Sequence, residues 1–207
     1  MKIISNTVKA SIEIPFTFFQ QEKKADTLAI IFPGAGYTAQ APLLHYTAGS
    51  FFTRGIDVLQ VNYKYPKEVF QSLSDETFTA DVQTVVNSIL SEHHYDHYYI
   101  AAKSIGTIAL TGLLKNPLFD SAKLIWFTPL ISEDFVYQAL MEAGNKGQVY
   151  IGTEDPCYSP ERFDVLSKKE NLECHLINGV NHALEKSDDI LQSIDILKEI
   201  MEKVSAF

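Results

Sequence analysis

The stretch Ala102-Lys103-Ser104-Ile105-Gly106 joins an apolar run, residues 98–102, to a run with helical spacing, residues 105–115. A serine at a sharp strand-to-helix turn takes up a strained backbone conformation and stands exposed at the end of the strand. Because neighbouring chain segments crowd such a turn, only small side chains fit two positions before and after it. Alanine and glycine occupy those positions here. The pattern predicts a nucleophile at Ser104, and the alternative is a serine that caps the following helix.

Short apolar runs alternate with amphipathic segments along the rest of the chain. Continuous apolar runs are typical of parallel strands covered on both faces, and the helical periodicity of residues 75–92 and 188–204 supplies covering helices. We therefore predict a three-layer α/β/α sandwich with a mostly parallel central sheet, as a single domain over residues 1–207. The predicted parallel strands are residues 27–32, 56–61, 98–102, 124–127, 149–151 and 174–177. An earlier strand, residues 11–19, contains Pro15 and is predicted to pair antiparallel at the sheet edge.

Charge and composition restrict the partners. The net charge of -9 disfavours nucleic acid and anionic membrane surfaces, which require basic patches, and favours a small-molecule substrate. The first apolar run is too short for a signal peptide, and no run reaches a membrane-spanning length, so we expect a cytoplasmic protein. The sequence leaves the oligomeric state open.

No cofactor or metal is predicted. The glycines of residues 32–37 lack the spacing and the lysine of a phosphate-binding loop. Cys157 and Cys174 have no metal-motif spacing and are expected to be free thiols. His93, His94 and His97 precede a strand, at the end of the sheet opposite the candidate site, which favours a solvated loop over a metal site.

Candidate partners for the serine follow two later strands. In open α/β sheets functional groups gather at the carboxyl ends of the strands, and there Asp155 follows residues 149–151 and His182 follows residues 174–177. A serine hydroxyl needs an imidazole to accept its proton, and the imidazole needs a carboxylate to fix its tautomer. We predict Ser104 as nucleophile, His182 as base and Asp155 as the orienting acid. Glu154 is the competing acid, and the simpler alternatives are a turn aspartate and a capping histidine.

Backbone donors for a developing oxyanion are predicted after the first central strand. Residues 32–37, Phe-Pro-Gly-Ala-Gly-Tyr, form a glycine-rich turn, and we expect the amides of Ala35 and Ile105 to be the donors. A glycine-rich turn without a chemical role is the alternative.

Four residues near strand ends are candidates for the substrate pocket: Tyr37, Lys103, Leu130 and Tyr158. Ordinary core packing explains the three uncharged residues equally well. For Lys103 a salt bridge with Glu154 or another carboxylate is the favoured interpretation.

From residue 27 to the C-terminus the chain resembles the α/β-hydrolase superfamily, in which the triad also follows the order Ser, Asp, His. It is most similar to small members with a lysine before the nucleophile in a K-S-x-G turn. Ala102 replaces the usual first glycine and Pro33 replaces a common histidine. Residues 129–148 leave room for one helix, residues 133–142, so no substantial cap domain is expected.

The resemblance implies acyl-enzyme chemistry on an ester, thioester or amide. The same triad could also serve acyl transfer, peptide cleavage or perhydrolysis, because a fold does not choose a reaction. A non-catalytic binding or scaffold protein with this fold is the alternative from another class.

Overall fold

The computed structural model describes residues 1–207 and contains one eight-stranded sheet with helices on both faces. The strands are β1 (Lys2–Lys9), β2 (Glu13–Gln20), β3 (Thr27–Phe32), β4 (Asp57–Val61), β5 (His97–Lys103), β6 (Lys123–Phe127), β7 (Gly147–Gly152) and β8 (Leu172–Ile177). The helices are α1 (Pro42–Thr53), α2 (Lys67–Gln71), α3 (Asp75–Leu90), α4 (Gly106–Leu113), α5 (Asp134–Glu142), α6 (Pro160–Leu166) and α7 (Ile190–Ala206).

The strand order is β1-β2-β4-β3-β5-β6-β7-β8. Strands β3 to β8 are parallel to one another, whereas β2 pairs antiparallel with both β1 and β4. All six predicted parallel strands are present, and β3 begins and ends at the predicted residues. The mostly parallel α/β architecture is therefore confirmed.

Two apolar cores lie on opposite faces of the sheet. Successive side chains of a strand point to opposite faces, so Ile30 belongs to one core and Ile31 to the other. Helices α3, α4, α5 and α6 contribute to the first core, whereas α1 and α7 contribute to the second. Helix α5, from the segment where a cap would be inserted, buries Val136 and Leu140 in the first core. No large cap domain is present, as expected.

The predicted edge position of β2 is wrong. Strand β2 lies between β1 and β4, and Pro15 is paired with Thr7 of β1. The proline carbonyl still accepts a hydrogen bond of 2.8 Å from the amide of Asn62. The strand at this edge of the sheet is β1, which was not predicted because six of its eight residues are exposed and only Ile4 and Val8 pack against the first core.

The parallel strands β3, β5, β6, β7 and β8 have their carboxyl ends at the same end of the sheet, so the loops that follow these strands lie together. His93, His94 and His97 lie at the opposite end, before or at the start of β5. No helix of the protein has both the length and the apolar composition needed to cross a membrane.

Candidate active site

Ser104 occupies the turn between β5 and α4. Its φ is 53°, in the left-handed region that residues other than glycine rarely adopt. The Ser104 amide donates to the carbonyl of Phe127 in β6 at 3.1 Å, which ties the turn to the neighbouring strand. Helix α4 has Ile105 at its N-cap position and no side-chain cap. The helix-capping alternative for Ser104 is therefore wrong, and the predicted strained turn is present.

Gly106 allows the turn to pass close to the end of β3. A Cβ atom on this glycine would lie 2.5 Å from the carbonyl oxygen of Phe32 and 2.8 Å from that of Pro33, both closer than real Cβ contacts. Because these are backbone atoms, they cannot move aside as a flexible side chain could. The small residue two positions after Ser104 is thus required because the backbone of this turn crosses close to the end of β3, as the sequence pattern predicts.

The three predicted triad residues form one hydrogen-bonded chain. Ser104 Oγ lies 2.8 Å from His182 Nε2, and His182 Nδ1 lies 2.8 Å and 2.9 Å from the two oxygens of Asp155. A carboxylate can only accept, so Nδ1 carries the hydrogen and Nε2 is free to accept from Ser104. The Asp155 side chain is fully buried, whereas the His182 side chain is 34% exposed. This geometry allows His182 to take the serine proton from the cleft side.

Glu154, the competing acid, is exposed and makes no hydrogen bond with His182. Asp155 is held in place because its Oδ1 accepts from the amide of Cys157 at 2.8 Å. The loop after β7 meets the loop after β8 at Gly152, where a Cβ atom would lie 1.9 Å from the carbonyl oxygen of Val180. That close approach brings the acid and the histidine together.

The turn after β3 lies directly against the serine. A Cβ atom on Gly34 would be 3.4 Å from the Cβ of Ser104. Two hydrogen bonds fix the turn: the Gly34 amide donates to the Tyr37 carbonyl at 3.0 Å, and the Tyr63 hydroxyl donates to the Pro33 carbonyl. The amides of Ala35 and Ile105, the predicted oxyanion donors, make no hydrogen bond within the protein. Both remain available to a bound group.

The salt bridge predicted for Lys103 is wrong. Its side chain is buried, with 1% exposure, and no carboxylate lies within salt-bridge distance. The ammonium group donates to Thr128 Oγ1 at 2.7 Å and to the backbone carbonyl of His182 at 2.6 Å, and lies 4.8 Å from the ring centre of Tyr37. Burial lowers the pKa of Lys103 to about 8, although the charge of Asp155 partly opposes this shift. Lys103 therefore links the turn that carries Ser104 to the loop that carries His182.

An open cleft of about 550 Å³ surrounds Ser104 and His182. Of the four candidate pocket residues, Tyr37 and Lys103 border it. Leu130 and Tyr158 pack, partly buried, against the first core and do not line the cleft. Their nearness to strand ends in sequence did not determine which way their side chains point.

Thr128 and Cys157 were missed by sequence reasoning. Thr128 is fully buried and has a φ of 43°, an unusual conformation for a β-branched residue, in the position where it accepts from Lys103. No sequence signal marks it. Cys157 lies two residues after Asp155, and only that spacing could have indicated a position beside the triad.

Solved structures of α/β hydrolases are similar to this chain along its whole length. An α/β hydrolase of unknown function from Agrobacterium tumefaciens aligns with a TM-score of 0.76 and 16% identity, over 98% of this chain and 94% of that one. A serine hydrolase without a lid from Xanthomonas campestris aligns with a TM-score of 0.72 and 15% identity, over 100% and 93%. A cold-adapted esterase from an Arctic intertidal metagenomic library aligns with a TM-score of 0.68 and 12% identity, over 98% and 92%.

The chain therefore has the α/β-hydrolase fold, in a form without a large cap. No protein-family model matches the sequence, and no curated protein is similar enough in sequence to count as a relative.

Proposed function

We propose that this protein is a serine hydrolase that cleaves a small carboxylic ester or thioester through an acyl-enzyme. The observation that carries the proposal is the unbroken hydrogen-bonded chain from Ser104 through His182 to the buried Asp155. A histidine that only capped a helix or filled the core would not need a serine on one nitrogen and a carboxylate on the other. The esterase and serine hydrolases with the same fold also support this reaction class.

The arrangement performs the reaction in two halves. His182 Nε2 accepts the proton of Ser104 as its oxygen attacks the carbonyl carbon, and Asp155 stabilises the imidazolium that forms. The amides of Ala35 and Ile105 donate to the tetrahedral oxyanion. The leaving group takes the proton from His182, and water, deprotonated by the same nitrogen, then releases the acid and restores the serine.

An apolar pocket next to the cleft supports a substrate with an apolar group. Tyr37 and Ala183 border both spaces, and the pocket continues between α1 and α7 past Leu43 and Ile194. Its volume is about 150 Å³. An apolar protein cavity of about that volume accommodates benzene, so a phenyl-sized group fits. We propose that the substrate is a small molecule that carries such an apolar group, that the protein acts in the cytoplasm and that no cofactor takes part.

Replacement of Ser104 by alanine tests the proposal. With p-nitrophenyl acetate, we expect Ser104→Ala to lower kcat by at least about 10³-fold, because the residual rate then rests on binding and oxyanion contacts alone. Ser167→Ala, at an exposed serine after α6, is the matched control and should keep the wild-type rate. Turnover retained in folded Ser104→Ala would refute the assignment of Ser104 as the nucleophile. Absence of turnover by the wild-type protein on a panel of esters would favour a scaffold role.

A further inference from the structure

A thiol lies beside the triad. Asp155, Cys157 and His182 each place one potential metal-ligand atom within 4.8 Å of the other two. The loops after β7 and β8 hold this cluster together, since the Cys157 amide donates to Asp155 Oδ1 and His182 Nδ1 faces the same carboxylate. No second group of three such side chains occurs in the protein.

The donor set matches the chemistry of zinc. A thiolate sulfur, an imidazole nitrogen and a carboxylate oxygen are its usual ligands, and three protein ligands leave a fourth tetrahedral position for water. With metal-ligand bonds of about 2.0 to 2.3 Å, ligand atoms stand roughly 3.3 to 3.8 Å apart. Zinc binding therefore requires the widest pair of ligand atoms to close by about 1 Å and the Asp155–Nδ1 pair, 2.8 to 2.9 Å apart, to open by about 0.5 Å. Of the three ligands, His182 is the one that borders the cleft.

We propose that Asp155, Cys157 and His182 form a reversible inhibitory site for a zinc ion. The proposal rests on the proposed function, because inhibition requires that His182 act as the base. Zinc binding forms bonds to Asp155 oxygen, Cys157 sulfur and His182 Nδ1. The Cys157 thiol releases one proton to solvent, and the carboxylate needs no proton change.

Inhibition follows from the tautomer. When zinc occupies Nδ1, the imidazole hydrogen moves to Nε2, and a protonated Nε2 cannot accept the proton of Ser104. The serine then stays a neutral hydroxyl, which is a poor nucleophile. The metal blocks the reaction without filling the space in front of Ser104.

Charged groups surround the thiol. Asp155 and Glu133 carry negative charges near Cys157 and favour a bound cation, whereas Lys103 is the nearby cation that opposes metal binding.

The inhibition experiment uses ester hydrolysis at increasing concentrations of zinc chloride, with each variant compared with its own zinc-free rate. We expect zinc to inhibit the wild type and excess EDTA to restore the rate. Cys157→Ala should raise the half-inhibiting concentration at least about tenfold, since loss of a direct ligand should cost no less than loss of an outer-shell partner. Cys174→Ala, at the other free cysteine, is the matched control and should be inhibited like the wild type.

Calorimetric titration of Ser104→Ala with zinc chloride separates this proposal from the proposed function, because that variant keeps all three ligands. We expect one zinc ion per chain in Ser104→Ala and loss of that binding when Cys157→Ala is added. Equal zinc affinity with and without Cys157, or equal inhibition of wild type and Cys157→Ala, would overturn the site. Absence of ester hydrolysis with Cys157-dependent binding would leave the site standing and remove only the proposed reaction.

Discussion

Replacement of Lys103 by methionine removes a buried ammonium group and keeps a side chain of similar length. In the folded protein this group donates to Thr128 and to the His182 carbonyl in an environment without a directly paired carboxylate. Desolvation lowers its pKa to about 8, whereas an unfolded chain has a lysine pKa of about 10.4. The perturbation therefore removes a group that titrates differently in the two states.

The sign and size of the effect follow from proton linkage. Between pH 8 and about 10.4 the unfolded chain holds a proton that the folded chain has lost, so the wild type gains stability as the pH rises. With about 1.4 kcal/mol per pKa unit, the gain between pH 7 and pH 9.5 is roughly 2 kcal/mol. Lys103→Met cannot show this gain. The stability of wild type relative to the variant should rise by about that amount, or about 4 to 8 °C in relative Tm.

Urea and thermal unfolding of both proteins at the two pH values measure this difference, in which contributions from titrating groups that do not interact with Lys103 cancel. Lys115→Met, at an exposed lysine after α4, is the control and should leave the difference from wild type independent of pH. A wild-type to Lys103→Met difference that stays constant within about 0.5 kcal/mol would show that Lys103 titrates as an exposed lysine, and the reasoning from burial would be refuted.

Two further predictions concern the turn and the pocket. Gly106→Ala should destabilise the protein by about 1 to 3 kcal/mol in urea unfolding, because its Cβ would collide with the Phe32 carbonyl. Gly49→Ala, in open space within α1, should stabilise the protein by up to about 1 kcal/mol. Similar effects of the two substitutions would contradict the close backbone crossing at Gly106. Ile194→Asp should lower kcat/KM for a p-nitrophenyl ester with a phenyl-bearing acyl group about tenfold relative to the acetate, and the exposed Leu118→Asp should not. An unchanged ratio in Ile194→Asp would show that substrates do not use the pocket.

The parallel part of the sheet was predictable because burial on both faces leaves a continuous apolar run in the sequence. Strand β3 is an example, since five of its six residues are buried and all six are apolar or threonine. Strand β1 is largely exposed and pairs with β2, and only Ile4 and Val8 of its side chains pack against the first core. Backbone hydrogen bonds, which leave no pattern of residue types, therefore supply much of what holds it. The prediction that β2 lies at the sheet edge was wrong for the same reason, because β1, the strand that pairs with its outer side, was not predicted.

The order of residues at strand ends was enough to predict which side chains meet. Ser104, Asp155 and His182 are far apart in sequence, but the loops that follow parallel strands lie at the same end of the sheet. The structure places the three side chains in hydrogen-bond contact. Side-chain burial could not be predicted in this way. A lysine at position 103 signals a charge, yet only the folded chain shows that the charge is enclosed by Thr128, Tyr37 and the His182 carbonyl.

The most direct test of the central claim is covalent labelling of the folded wild-type protein with a fluorophosphonate, followed by mass spectrometry of its peptides. If Ser104 is activated by His182, one phosphonyl group per chain should appear on the peptide that contains Ser104, and His182→Ala should slow the labelling by orders of magnitude. Absence of label on Ser104 in folded protein, or labelling at an unchanged rate in His182→Ala, would contradict the claim that this serine is a catalytic nucleophile.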